Sequence, residues 1–276
     1  MTATGGARGW LDGPFTRARF GGWSYGSSGV RTGRSPDGRY LYMIDLGILR
    51  VLNFEKRVVR TLLDKVNAVA LSVDSKGNAW IFSWGGALRI VNVEGKTLET
   101  RHLPGSYNKR PLIGHGFNAR LDEEKDRLWG MKRNGLYLWY WDFKLGGKVV
   151  PVLWDFGKKS RGRCVTGPFE GTQMHCPGAF AFGPDDPAKR FGYMGGGNDT
   201  TFYRLDLQKK EWVMFGARPE HEKAHPLKVL SFVHHKGKFR WGSVVSWCGT
   251  PGWDKEGNIY LGVALGARTI RFKRVK

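Results

Sequence analysis

The chain has 276 residues, 41% of them hydrophobic, and no apolar run long enough to cross a membrane as a helix. Lysine and arginine total 45 against 24 acids, a formal net charge of +21, which points to an anionic partner. The 40 glycines and 12 tryptophans, with few long helical patterns, argue against a helical bundle and for short strands joined by turns.

The opening "MTATGGARGW" lacks the apolar stretch of a secretory leader. The expectation is a cytosolic chain, or a secreted or periplasmic one whose leader has been removed. A glycine- and arginine-rich stretch, "GWLDGPFTRARFGGW" (9–23), leads into "SPDGRYLYMID" (35–45), an Asp-Gly turn followed by an alternating strand. Two further strands, "LRVLNF" and "RVVRTLL", complete the set. The phrase returns as "SVDSKGNAWIFSW" (72–84), followed by "LRIVNV" and "TLETRHL". It returns as "RLDEEKDRLWGMK" (120–132), followed by "LYLWYWD" and "KVVPVLWD". Two later copies are "FGPDDPAKRFGYMGG" (182–196), with "FYRLDL" and "EWVMFG", and "GWDKEGNIYLGVA" (252–264), with "TIRFKR". In each, a strand meets a polar turn containing Asp, and a second strand then presents an aromatic: Tyr42, Trp80, Trp129, Tyr193 and Tyr260.

A repeat of four short strands predicts an all-β fold, a single β-propeller domain spanning residues 1–276. One small twisted sheet cannot bury both of its faces; sheets packed face to face can. Five four-stranded blades are clear, and a sixth is left open by "KVLSFVHHKGKFRWGSVV" (228–245), which reads either as a degenerate blade or as an outer strand. The last blade lacks a fourth strand, so ring closure is expected from the N-terminal segment pairing with residues 269–273. Pro14 and Phe15 are expected to pack a corner between blades.

The residues "DGPFTRARF" and "SPDGRYLYMIDLGILRVLNFEKRVVRTL" resemble the NHL-repeat family of propellers, over residues 12–103 and again over 252–275. The pattern is a DGP…ARF lead-in, an Asp-Gly turn, an aromatic-x-aromatic strand ending in Asp, and an Arg-Val strand. In the middle of the chain only "GPF" and the turn persist. The resemblance implies fold and not chemistry, because such propellers host unrelated functions. It also implies that the binding face is the one formed by the blade-to-blade connections and the turns between second and third strands.

On that face the sequence places ten cations, among them Lys65, Lys109, Arg110, Arg133, Arg161 and Arg163, and rings that include Trp84, Tyr107 and Trp247, against the carboxylates Asp45, Asp64, Glu170 and Asp199. Asp45 follows the repeat pattern and is expected to be structural. The opposite face carries most of the turn acids, among them Asp37, Asp74 and Glu123. A basic, ring-bearing surface suits a polyanion. So few carboxylates suit neither a calcium centre, which needs several oxygen ligands, nor a glycosidase, which needs a flanking carboxylate pair.

His115 and His175, with Asn67 and Asn118, precede predicted first strands and are expected to converge. The expected partner is an acidic polysaccharide, bound or cleaved by β-elimination. Arg161, Arg163, Arg133 and Arg110 would then neutralise the uronate carboxylate, and His175, His115 or Tyr107 would take the C5 proton. Asn67, Asn118, Trp84 and Trp247 would complete the binding surface. The alternative is a non-catalytic recognition or scaffold propeller for protein, glycan or nucleic acid, with nucleic acid the lesser expectation because no nucleic-acid module is present. A divalent metal held by histidines remains open, although Cys164, Cys176 and Cys248 show no metal-ligand spacing. Cys164 and Cys176 read equally as a disulfide or as reduced thiols. The chain is expected to be a monomer.

Overall fold

A computed structural model describes residues 9–21, 31–113, 117–132, 137–153, 177–183, 188–196, 202–209, 211–215, 232–233, 252–253, 258–263 and 268–272. They are almost entirely strand and turn, with one 3₁₀ turn at Phe143–Leu145. No helix among them is long and apolar enough to cross a membrane.

The first sheet contains β1 (Gly13–Pro14), β2 (Arg31–Arg34), β3 (Tyr40–Asp45), β4 (Ile48–Asn53) and β5 (Val58–Leu63), in the order β1-β5-β4-β3-β2. The second is a meander of β6 (Ala68–Val73), β7 (Ala79–Ser83), β8 (Ala87–Val91) and β9 (Thr97–His102). A small hairpin follows, β10 (Ser106–Tyr107) with β11 (Arg110–Pro111). The third sheet runs β12 (Asn118–Asp122), β13 (Arg127–Lys132), β14 (Tyr137–Asp142) and β15 (Lys148–Leu153). The fourth runs β16 (Pro177–Phe182), β17 (Phe191–Gly196), β18 (Phe202–Asp206) and β19 (Glu211–Phe215). The last sheet comprises β20 (Phe232–Val233), β21 (Gly252–Trp253), β22 (Ile259–Val263) and β23 (Arg268–Phe272), and it has a different order, β20-β23-β22-β21. The four antiparallel meanders are those of a β-propeller, and each repeated phrase spans the first-to-second strand hairpin of its sheet. Chain contacts divide the protein into two compact units, Met1–Gly130 with Tyr140–Val150, and Met131–Trp139 with Pro151–Lys276.

Period-two alternation decides what each strand buries. In the first sheet Tyr42 and Ile44 of β3, with Leu49 and Val51 of β4, face one way and pack with Leu71, Ala79, Ile81 and Val91 of the second sheet. Their neighbours Met43 and Leu52, with Val59, face the other way and pack with Phe15 and Ala18 of the N-terminal segment. The next core layer is aromatic: Phe82 stacks 5.0 Å from Trp141 and 5.2 Å from Phe117.

Two sequence expectations change here. Among the described residues β23 is paired not with the N-terminal segment but with β20, through Phe232↔Phe272 and Val233↔Arg271. The N-terminal β1 pairs instead with β5, Gly13↔Val59 and Pro14↔Val58. The reason is local. Asp12 is anchored to β5 by the Thr61 amide, 2.7 Å, and the Thr61 hydroxyl, 2.9 Å, and Phe15 is buried over the same sheet. Phe15 therefore caps the first sheet, and Pro14 lies exposed on its edge.

Candidate functional site

The edge formed by the blade-to-blade connections and the second-to-third strand turns is well defined for the first two sheets and the start of the third. The turn Leu46-Gly47 receives a hydrogen bond from the following connection, Val66 N to Gly47 O at 2.7 Å. One repeat later Leu103 N donates to Gly86 O at 3.0 Å. The two contacts are equivalent, and both glycines have φ near +84°. The connection is then pinned to the next sheet: the Ser83 hydroxyl and Arg89 donate to Val66 O, at 3.1 and 3.3 Å, and Trp84 N donates to Asn67 O at 3.4 Å. Trp141 Nε1 donates to Pro104 O at 3.1 Å, holding the start of the next connection.

These bonds hold several non-glycine residues in left-handed conformations: Leu46, Lys65 and Asn67, and then Asn108 and Lys109 in the β10–β11 turn. A two-residue hairpin loop with φ positive at both positions is the type I′ geometry, which Asn accepts readily. Lys65, Asn67, Asn108 and Lys109 are exposed there, Tyr107 is half-buried, and Trp84 keeps 42% of its surface in solvent. Asn118 is half-buried at the start of β12, and Arg110 stands opposite Tyr107 in the hairpin.

Of the predicted site residues, Asn67, Trp84, Tyr107 and Arg110 lie on connections or turns of one kind, and Asn118 is the first residue of β12. His115, His175, Arg133, Arg161, Arg163 and Trp247 lie outside the described residues, as do the three cysteines. Among the described residues no group of three His, Cys, Asp or Glu side chains could hold a metal ion.

The carboxylates account for much of the electrostatics. Asp45 is buried at the bottom of this edge, 3.6 Å from the Arg50 guanidinium, and accepts from Gly21 N at 2.8 Å. Asp64 is the exposed acid of the described connections between the first three sheets. The acids at the other ends of the strands serve local structure. Asp37 accepts from the Ser35 hydroxyl and the Arg39 amide and side chain, which bring its pKa down to about 2. Asp74 accepts from the amides of Lys76 and Asn78 and from Trp80 Nε1. Glu123 accepts from the Ser75 amide and hydroxyl at 2.6 and 2.7 Å. Lys132, at the end of β13, has its ammonium pKa pushed down by burial.

Sequence reasoning overlooked Arg50. It is fully buried, donates to Leu11 O at 2.9 Å, to Asp12 at 2.8 Å and to Arg19 O, and lies 4.8 Å from the centre of the Phe20 ring. Its signal was a lone cation inside the apolar strand "ILRVLN", paired across the turn with Asp45.

No protein-family model and no curated protein matches the chain. Solved structures do. A structural genomics protein of unknown function from Bacteroides thetaiotaomicron VPI-5482 gives a TM-score of 0.60 at 12% identity, covering 87% of this chain and 57% of that one. A protein of unknown function from Bacteroides caccae gives 0.55 at 10% identity, covering 91% and 74%. An auxiliary nutrient binding protein from Bacteroides thetaiotaomicron VPI-5482 gives 0.50 at 16% identity, covering 94% and 71%. This chain therefore spans a little over half the length of the first of these. At such identities the likeness is one of fold alone, and the fold is β-propeller-like.

Proposed function

We propose that the protein is a single-domain, five-bladed propeller that binds an acidic polysaccharide through the edge built from its connections and second-to-third strand turns. The last blade is completed by Phe232–Val233. The observation that carries this reading is the composition of the edge. Lys65, Lys109 and Trp84 are all exposed, while Asp45 is buried next to Arg50. Cations neutralise uronate carboxylates, and exposed rings stack on sugar faces or cations.

The candidate residues of the sequence also suit a β-elimination chemistry. Arg110, Arg133, Arg161 and Arg163 would neutralise the uronate carboxylate and so acidify C5–H. His175, His115 or Tyr107 would take the C5 proton, the C4–O bond would break, and a C4=C5 double bond would form as the leaving oxygen is protonated. Asn67, Asn118, Trp84 and Trp247 would hold the chain in place. Polygalacturonate tests both parts. Binding measured by affinity electrophoresis should weaken steeply as salt is raised, because released counterions drive the association. The ultraviolet absorbance of the unsaturated product reports elimination. Binding without absorbance leaves a recognition module. Salt-independent or absent binding overturns the polyanion reading.

A further inference from the structure

Arg50 and Arg120, each set inside a strand, have contrasting surroundings. Arg50 is held by Asp12, Asp45, two backbone carbonyls and the Phe20 ring, with its Nε alone left over. Arg120, on β12, has one hydrogen bond among the described residues, donated by its Nη1 to the carbonyl of its own neighbour Ala119 at 2.8 Å. A guanidinium carries five N–H donors in a planar fork. No carboxylate pairs with it among the described residues, although it is only partly exposed. Burial alone pushes its pKa down to about 10, with no neighbouring acid opposing the shift. The group is still a cation at neutral pH.

A charge held this way lacks the counterion that normally accompanies burial. Its position indicates what could supply one. β12 begins at Asn118, on the candidate edge, and Arg120 follows two residues later, about 7 Å along the strand. β12 lies beside β6, to which it is tied by the Leu121 amide donating to the Ser72 hydroxyl at 3.2 Å. We infer that Arg120 is an anion subsite one pleat in from the edge, which receives a single carboxylate of the ligand, that of a uronate unit, in a two-pronged guanidinium contact. This rests on the polysaccharide reading above.

The test uses the full chain, with glucuronate as the small probe, glucose as its uncharged control, and polygalacturonate as the polymer. Calorimetric titration should show glucuronate but not glucose binding the wild type, with affinity falling about tenfold or more in Arg120→Met and partly retained in Arg120→Lys. In anion-free buffer Arg120→Met should unfold at an equal or higher temperature than wild type, since it removes an uncompensated charge. A merely structural arginine would behave in the opposite way. Should Arg120→Met fail to fold, Arg120→Gln carries the same titrations. Unchanged glucuronate affinity in the variant, or a lowered melting temperature restored by Lys, overturns the subsite. If the wild type and Arg120→Met bind polygalacturonate equally, the subsite is wrong and the polysaccharide reading stands. If glucuronate binds through Arg120 but the polymer does not bind, the subsite stands and that reading falls.

Discussion

Arg50 shows how a single charged side chain inside an apolar strand organises its surroundings. It faces the same side of the first sheet as Met43, its cross-strand partner, and so the N-terminal segment must cover it. Asp12 meets that need twice, accepting from Arg50 and from Thr61. Burial works against the Asp12 carboxylate, but the Thr61 amide and the Arg50 guanidinium outweigh it and hold its pKa below the ordinary range. Replacing Arg50 by Met would leave Asp45 buried and uncompensated. Urea denaturation should then show a loss of about 3–5 kcal/mol, and a change below about 1 kcal/mol would show that Asp45 is neutralised some other way. Asp206 makes a different prediction. Arg190 bonds to its carboxylate, at 2.9 and 3.0 Å through Nε, and brings its pKa down to about 2. The folded value lies below the unfolded one, so the contribution is complete above the ordinary carboxylate pKa of 3.8 and is lost as pH falls towards 2. Asp206→Asn should be less stable than wild type at neutral pH, and the gap should narrow on acidification, as followed by melting temperature against pH.

Each meander relies on its own turn chemistry, and the repeated residues mark where. The third strands β4, β14 and β18 end in Asn53, Asp142 and Asp206, and Asn92 directly follows β8. Asn53 accepts from Lys56 N, Asn92 from Glu94 N and Lys96 N, and Asp206 from Gln208 N and Lys209 N, which turns the chain into the fourth strand. Asp142 is instead paired with Arg127 at 3.2 Å. The last sheet's third strand, β23, ends at Phe272 with Lys273 after it and no such residue, and its fourth strand comes from β20 instead. The glycines at the second-to-third strand turns differ in the same informative way. A Cβ on Gly86 would stand 2.8 Å from Leu103 O, whereas one on Gly47 would meet nothing within 4 Å. Both carry the left-handed backbone penalty of about 1–2 kcal/mol for an alanine, but Gly86→Ala must also displace a backbone carbonyl. Gly86→Ala should therefore lower the urea midpoint clearly more than Gly47→Ala. Equal losses would mean that the Leu103 contact adjusts freely.

The chain divides by contacts into two compact units, while the repeat runs through both. The division falls within two strands of the repeat, after Gly130 in β13 and after Trp139 in β14. On the single-domain reading, a repeat that runs through the whole chain should unfold as one cooperative unit. Scanning calorimetry is expected to give one transition whose calorimetric and van't Hoff enthalpies agree. Two separated transitions would overturn the single-domain reading.

The sequence alone was enough for the all-β class, the repeat and the placement of its strands. Alternation, Asp-Gly turns and recurrent aromatics are local signals, and each sheet is built from strands adjacent in the chain. It also identified Asp45 as structural, since that residue ends a repeated strand. The tertiary structure decided the pairings between residues far apart in sequence: β1 on β5, β20 on β23, and Arg50 against Asp12. An edge strand accepts any neighbour with free backbone groups, so which segment fills it depends on reach and on side chains that gain by burial there, not on the strand's own pattern. The charge of Arg120 was visible from the start. That it stands half-buried with one backbone carbonyl for a partner emerged only once β12 was laid beside β6.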